Sequence, residues 1–206
     1  GVMKNIVFTL CVAVCLGMVA ACTDDDSFST SPSNLLTFSS DTISMDTVFS
    51  TVPTTTRTIW VYNRSGDGIR CTNVRLANGN QTGFRVNVDG EYLSPTAGYQ
   101  VQNVEIRKGD SIRVFVELTS PTNGVDGPQL LEDELVFSLE SGVEQRVNLN
   151  AHTWNATFLR DYVVSEDFTL SSSGRPVVIY GGLTVDSLAT LTITPGTTLY
   201  FHGDAG

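Results

Sequence analysis

Thr56-Arg57-Thr58-Ile59-Trp60-Val61-Tyr62-Asn63, closed by Arg64-Ser65-Gly66-Asp67-Gly68, is the stretch that decides the fold class. Successive side chains of an extended strand point to opposite faces, so Ile59 and Val61 share one side and Trp60 and Tyr62 the other. β-branched and aromatic residues suit a pleated, packed surface. The glycine-rich pentapeptide after them reads as a turn. With both faces apolar, the stretch is expected to be a central strand and Trp60 a core residue.

The same texture runs outward in both directions. Strands are expected over 36–39 and 42–50 before it and over 69–76 after it, followed by the turn Asn78-Gly79-Asn80. Phe84, Val86 and Val88 then alternate with Arg85 and Asn87. A strand at 103–106 and the turn Lys108-Gly109-Asp110 lead to Ile112, Val114, Val116 and Leu118 on one face. Leu135, Phe137 and Leu139 alternate next, and Ser141-Gly142 turns the chain into 147–151. Helical periodicity is absent beyond residue 21. Short alternating strands at hairpin spacing predict an all-β protein, with an immunoglobulin-like antiparallel β-sandwich over 35–152. The Cys–Trp–Cys pattern of antibody domains is missing.

From Trp154 the pattern changes. Residues 155–173 read as a connection with weak strands at 157–159 and 162–164. In 181–201, Leu191 and Ile193 face one way and Thr190, Thr192 and Thr194 the other. Pro195-Gly196 suits a type II turn, after which Leu199 and Phe201 resume the inward face. Short strands between tight turns are what a parallel β-helix coil needs. One coil has no neighbour against which to bury its apolar side. The 153–206 tail is therefore expected not to fold alone, and the chain to be the N-terminal part of a longer protein.

At the other end, Met3 and Lys4 precede an apolar run over 6–19, too short to span a membrane and suited to a secretory signal. Val19-Ala20-Ala21-Cys22 follows. Small residues running into a cysteine resemble a bacterial lipobox, which implies a signal peptide over 1–21 and lipidation of Cys22. Thr23, Asp24, Asp25 and Asp26 come next and resemble the surface-export signal of Bacteroidetes lipoproteins. Residues 22–34, ending in Ser/Thr/Pro-rich sequence, read as a flexible tether. The domain features also resemble a family of bacterial surface domains: the Asn63 strand end, Gly83-Phe84-Arg85-Val86, and the strand after Lys108-Gly109-Asp110-Ser111. The tail resembles the first coil of the right-handed parallel β-helix that follows an immunoglobulin-like domain in Bacteroidetes surface lipoproteins. These resemblances imply an outer-membrane, lipid-anchored, surface-exposed location.

Composition narrows the function classes. The 206-residue chain has a formal charge of −10, with 17% charged and 41% apolar residues, a globular balance. Such acidity disfavours nucleic acid. Cys11 and Cys15 fall in the leader, and Cys22 carries lipid, so Cys71 is left unpaired and reads as a small core residue. His152 and His202 lack neighbours at metal-ligand spacing, Asp204 beside His202 being too little, and no cofactor is expected. Metalloprotease, phosphate-loop and nucleophile-elbow motifs are absent, so no catalytic residue is assigned. Glu132-Asp133-Glu134 would alternate across a strand and reads as a solvated edge.

Tyr92 and Tyr99, on a Gly/Pro-flanked loop, are the candidate glycan-stacking residues. Asp41-Thr42-Ile43, Asp46-Thr47-Val48, Asp110-Ser111-Ile112 and Asp186-Ser187-Leu188 share the form Asp–Ser/Thr–apolar. They resemble the O-glycosylation acceptor of Bacteroidetes exported proteins, at Thr42, Thr47, Ser111 and Ser187; the same pattern is also how a strand begins. The expected function is a non-catalytic spacer or binding module, anchored in a membrane by lipid, with a glycan or protein ligand. The alternatives are the anchored N-terminus of a polysaccharide-acting enzyme and a cell-envelope assembly component.

Overall fold

The computed structural model describes residues 27–171, 174–203 and 205. The leader, Cys22, Thr23, Asp24, Asp25, Asp26 and Asp204 lie outside the described residues. Along the chain run β1 (Leu36–Phe38), β2 (Thr42–Phe49), β3 (Arg57–Asn63), β4 (Ile69–Leu76), β5 (Phe84–Val88), β6 (Glu91–Tyr92), β7 (Gln100–Ile106), β8 (Ser111–Leu118), β9 (Gln129–Leu139) and β10 (Glu144–Trp154). They are followed by β11 (Thr157–Val164), β12 (Phe168–Leu170), β13 (Val177–Val185), β14 (Leu191–Ile193) and β15 (Leu199–Phe201).

Strands β1 to β10 make two five-stranded sheets, ordered β1-β3-β8-β5-β6 and β2-β10-β9-β4-β7. All neighbours are antiparallel except β2 and β10. The orders β1-β3-β8-β5 and β10-β9-β4 reproduce the two layers of an immunoglobulin-like sandwich, with β2, β6 and β7 added at the edges. The inward residues are those expected from alternation: Val61, Val114, Val116, Leu135, Phe137 and Val147 are fully buried between the sheets. Burying each large side chain contributes about 1.5–3 kcal/mol. Cys71 belongs to the same core.

Three expectations are corrected. β3 is flanked by β1 and β8, yet its second face is open to solvent and Trp60 is 39% exposed. Glu132-Asp133-Glu134 is not wholly a solvated edge: β4 pairs with β9 only over Leu135–Leu139, but the loop after β4 closes on Asp133 and Glu134, while Glu132 stays exposed. Asp133 points inward at 3% exposure and accepts hydrogen bonds from Thr82 Oγ1 (2.6 Å), Asn78 N–H (3.0 Å) and Glu134 N–H (2.8 Å). Residues 27–29, expected to belong to a free tether, are seated on the sandwich. Ser29 N–H donates to Gly68 O and Gly68 N–H to Ser27 O, both at 2.9 Å. Phe28 packs so closely on Gly68 that a Cβ there would stand 2.9 Å from its ring, and the Arg70 guanidinium lies 4.3 Å from the centre of that ring.

Asn63 ends β3 for a physical reason. Its buried amide nitrogen donates to the carbonyls of Asp67 (2.8 Å) and Ile106 (2.9 Å), and its oxygen accepts from the backbone N–H and hydroxyl of Ser65. One side chain thereby ties the turn after β3 to the end of β7.

The tail is a stack of parallel strands. β13 lies between β11 and β15, and β12 pairs with β14; partners are 20 to 23 residues apart in the chain. The stretches 157–159 and 162–164, expected as two weak strands in a connection, form the single strand β11, paired in parallel with β13. Parallel pairing therefore begins earlier than the sequence suggested, and the tail has a small core of its own. Leu170, Val177 and Ile179 are buried, with Leu159, Phe168, Leu183, Leu191 and Leu199 around them. β11 and β13 bend together where Asp161 (φ 43°) faces Gly181 (φ 70°). A Cβ on Gly181 would fall 2.0 Å from Asp161 Oδ1. Ile193 and Phe201, expected to face inward, are 47% and 59% exposed; β14 and β15 are edge strands among the described residues.

The tail touches the sandwich at the end of β10. Trp154 Nε1–H donates to Gly174 O (2.9 Å), and the rings of Phe49 and Tyr200 meet edge to face at 5.1 Å. Buried Asn155 donates to the carbonyl oxygen of Val125 at 2.9 Å.

Candidate functional site

Because Ile59, Val61, Val114, Val116, Val86 and Val88 fill the core, their neighbours in sequence must face out. This places Trp60 and Tyr62 of β3, Arg113, Phe115 and Glu117 of β8, and Arg85 and Asn87 of β5 on one outer face, with Tyr92 of β6 beside them. The register arranges these residues in cross-strand rows. Thr58, Phe115, Asn87 and Tyr92 are successive partners, Trp60 lies opposite Arg113, and Arg85 lies opposite Glu117.

The rows form an aromatic and cationic ladder. Trp60 and Tyr62 stack with ring centres 6.4 Å apart and planes 15° apart. The Arg113 guanidinium lies 5.1 Å from the Trp60 ring centre and 5.7 Å from that of Phe115. Arg64 sits 5.1 Å above Tyr62 and Arg85 sits 5.6 Å above Tyr92. Between β8 and β6 the face dips into a concavity of about 260 Å³, lined by Arg85, Val86, Asn87, Tyr92, Phe115 and Glu117. Thr56 Oγ1–H donates to Glu117 at 2.6 Å and the Gly90 N–H donates to Asn87 Oδ1 at 2.8 Å, so both polar side chains are held in place. A flat sheet carrying rings, an amide and a carboxylate can stack on and hydrogen-bond to a sugar.

The second sheet differs in how its arginines are held. Arg70 meets Glu105 at 2.8 Å and Glu140 at 3.1 Å, Arg75 meets Glu144 at 3.1 Å, and Arg146 pairs with Glu134 and Glu144. Hydrogen bonding from Arg75 holds the Glu144 carboxyl below its ordinary range. These charges cancel locally. A second concavity of about 330 Å³, beside Glu132, Asp133 and Glu134, is acidic, and the Asp133 carboxylate there is already engaged by protein donors.

Of the sequence candidates, Tyr92 is exposed and lines the first concavity. Tyr99 does not join it: half-buried at φ 58°, it packs on the core and over Gly79. Thr42 and Ser111 begin β2 and β8, beside their aspartates. Thr47 is exposed just after a bulge at Asp46 (φ 58°), and Ser187 is exposed in the turn after β13. Cys22, Thr23, Asp24, Asp25 and Asp26 are outside the described residues. Trp60 could offer a stacking surface on sequence alone but is expected in the core, and Arg113, Phe115 and Arg85 have no counterpart among the sequence candidates. Their signal was the aliphatic alternation itself, which sends the residues in between outward. Among the described residues no group of three His, Cys, Asp or Glu side chains could hold a metal ion.

No protein-family model matches the chain, and no curated protein matches it. Solved structures similar to part of it include the VesB protease of Vibrio cholerae, at 13% identity over 57% of this chain and 31% of that one, with a TM-score of 0.35. A PapD-like domain of human CEP192 gives 12% identity over 61% and 89%, with a TM-score of 0.37. The Salmonella enterica SafA pilin in complex with the SafB chaperone gives 9% identity over 62% and 57%, with a TM-score of 0.35. The chain spans about a third of the VesB chain. All three TM-scores are low, and the description of the fold rests on strand order and register.

Proposed function

We propose that this chain is a lipid-anchored cell-surface protein whose sandwich is a non-catalytic glycan-binding module. The observation that carries the reading is the outer face of the first sheet, where Trp60, Tyr62, Phe115 and Tyr92 are set among Arg85, Asn87, Arg113 and Glu117. Rings on a flat strand surface stack on pyranose faces at little entropic cost, and fixed polar groups select hydroxyl patterns. Anchoring is argued from the sequence: the lipobox ending in Cys22 supplies the membrane attachment, and Asp24, Asp25 and Asp26 supply the outer-surface address. The tail is read as the opening of a right-handed parallel β-helix. Its support is the parallel pairing at offsets of 20 to 23 residues and the shared bend at Asp161 and Gly181.

The test is binding of fluorescent polysaccharides to intact cells that express the protein. Wild type is expected to bind. Cys22→Ala should abolish cell-associated binding by preventing anchoring, and Trp60→Ala with Phe115→Ala should abolish it while surface antibody staining stays unchanged. Binding that survives the double substitution would remove the glycan reading from this face. Unchanged surface staining of Cys22→Ala would remove the anchor.

A further inference from the structure

Three arginines on the outer face of the first sheet are held differently from those of the second and from Arg57 of β3, which pairs with Asp46 at 3.2 Å. Arg64, Arg85 and Arg113 are exposed, lie over the rings of Tyr62, Tyr92 and Trp60, and make no ion pair among the described residues. A ring face attracts a cation without cancelling its charge. It also holds the planar guanidinium in a fixed attitude, which reduces the freedom lost when the N–H edge meets a carboxylate or sulfate. The chain as a whole is strongly acidic, at −10, and would repel anions. Three exposed arginines gathered on one face, none of them ion-paired among the described residues, run against that overall charge. Carboxylates on or beside this face are Glu117, opposite Arg85 and hydrogen-bonded by Thr56, Glu91 and Asp89 at the β5–β6 turn, and Asp67 in the turn that holds Arg64.

We infer that the glycan recognised by this face is anionic, a polysaccharide carrying carboxylate or sulfate groups. Its rings stack on the aromatic rows and its acidic groups meet Arg85 and Arg113. The inference rests on the glycan reading above and specifies the ligand class. Neighbouring strands are about 4.8 Å apart, so β3 to β6 spans roughly 14 Å, enough for a short run of sugar rings. Arg113 sits in the middle of that span, between Trp60 and Phe115, and Arg85 stands at the concavity.

The experiment titrates the full chain, in detergent, with polygalacturonate, chondroitin sulfate and neutral dextran. The acidic polymers should bind about tenfold or more tighter than dextran, and that preference should shrink as salt rises. Arg85→Gln with Arg113→Gln should erase the preference without changing thermal stability, and Arg113→Lys should keep part of it. Binding of chondroitin sulfate alone would support the inference with sulfate as the recognised group, and binding of polygalacturonate alone would support it with carboxylate. Dextran bound as tightly as the acidic polymers would overturn the inference and leave the glycan reading standing. Acidic polymers bound equally well by the double variant would overturn the assignment to these arginines. No polymer bound at all would overturn the glycan reading together with the inference.

Discussion

The hydroxyl of Thr82 donates to the carboxylate of Asp133 across 2.6 Å, and both side chains are buried. The loop after β4 is fastened to the middle of β9 by this bond and by the Asn78 N–H, which donates to the same carboxylate. Asp133→Ala removes the acceptor from Thr82, Asn78 and Glu134 together. Leaving a buried donor unsatisfied costs about 1–3 kcal/mol, so stability should fall by at least that amount. Urea unfolding followed by tryptophan fluorescence would read it, and an unchanged midpoint would show that solvent replaces Asp133 without cost.

Cys71 is expected to be inert while the sandwich is folded. Burial pushes its thiol from 9.0 up to about 12, because a thiolate in the core is poorly solvated. A thiol reagent at pH 8 should label it only after urea unfolds the chain. The sign of the linkage follows. With the folded pKa raised, the stability contributed by the protonated thiol is present below about 9 and is lost as pH climbs toward about 12. Rapid labelling of native protein would mean that β4 opens readily.

Gly181 should be required by the tail and not by the sandwich. Alanine there would carry a side chain at φ 70°, costing roughly 1–2 kcal/mol, and its Cβ would fall on the Asp161 carboxylate. Hydrogen exchange of Gly181→Ala is expected to quicken at Val177, Val178 and Ile179 while Val114 and Phe137 remain slow, since the two units have separate cores. Equal loss of protection in both would show that tail and sandwich unfold as one.

The sequence by itself determined which residues fill the sandwich. Alternation is a local property, and Ile112, Val114, Val116 and Leu118 had nowhere to go but one face of one strand. It also marked Cys71 as core and Asn63 as a strand end. Tertiary structure decided what alternation leaves open. Whether the second face of a strand is covered depends on layers brought together from far along the chain, so Trp60 could be placed in solvent only once β3 had β8 beside it and no further sheet over it among the described residues. Asp133 looked like a solvated edge until β10 paired with β9 on one side and the loop after β4 closed on the other, bringing Thr82 to its carboxylate. The tail shows the same limit, because parallel partners some 20 residues apart leave only a weak signal in each segment: the sequence showed two weak strands at 157–159 and 162–164, and only pairing with β13 joins them into β11. The arginine–aromatic face joins residues from β3, β5, β6 and β8, and only the pairing of those strands brings its charges together.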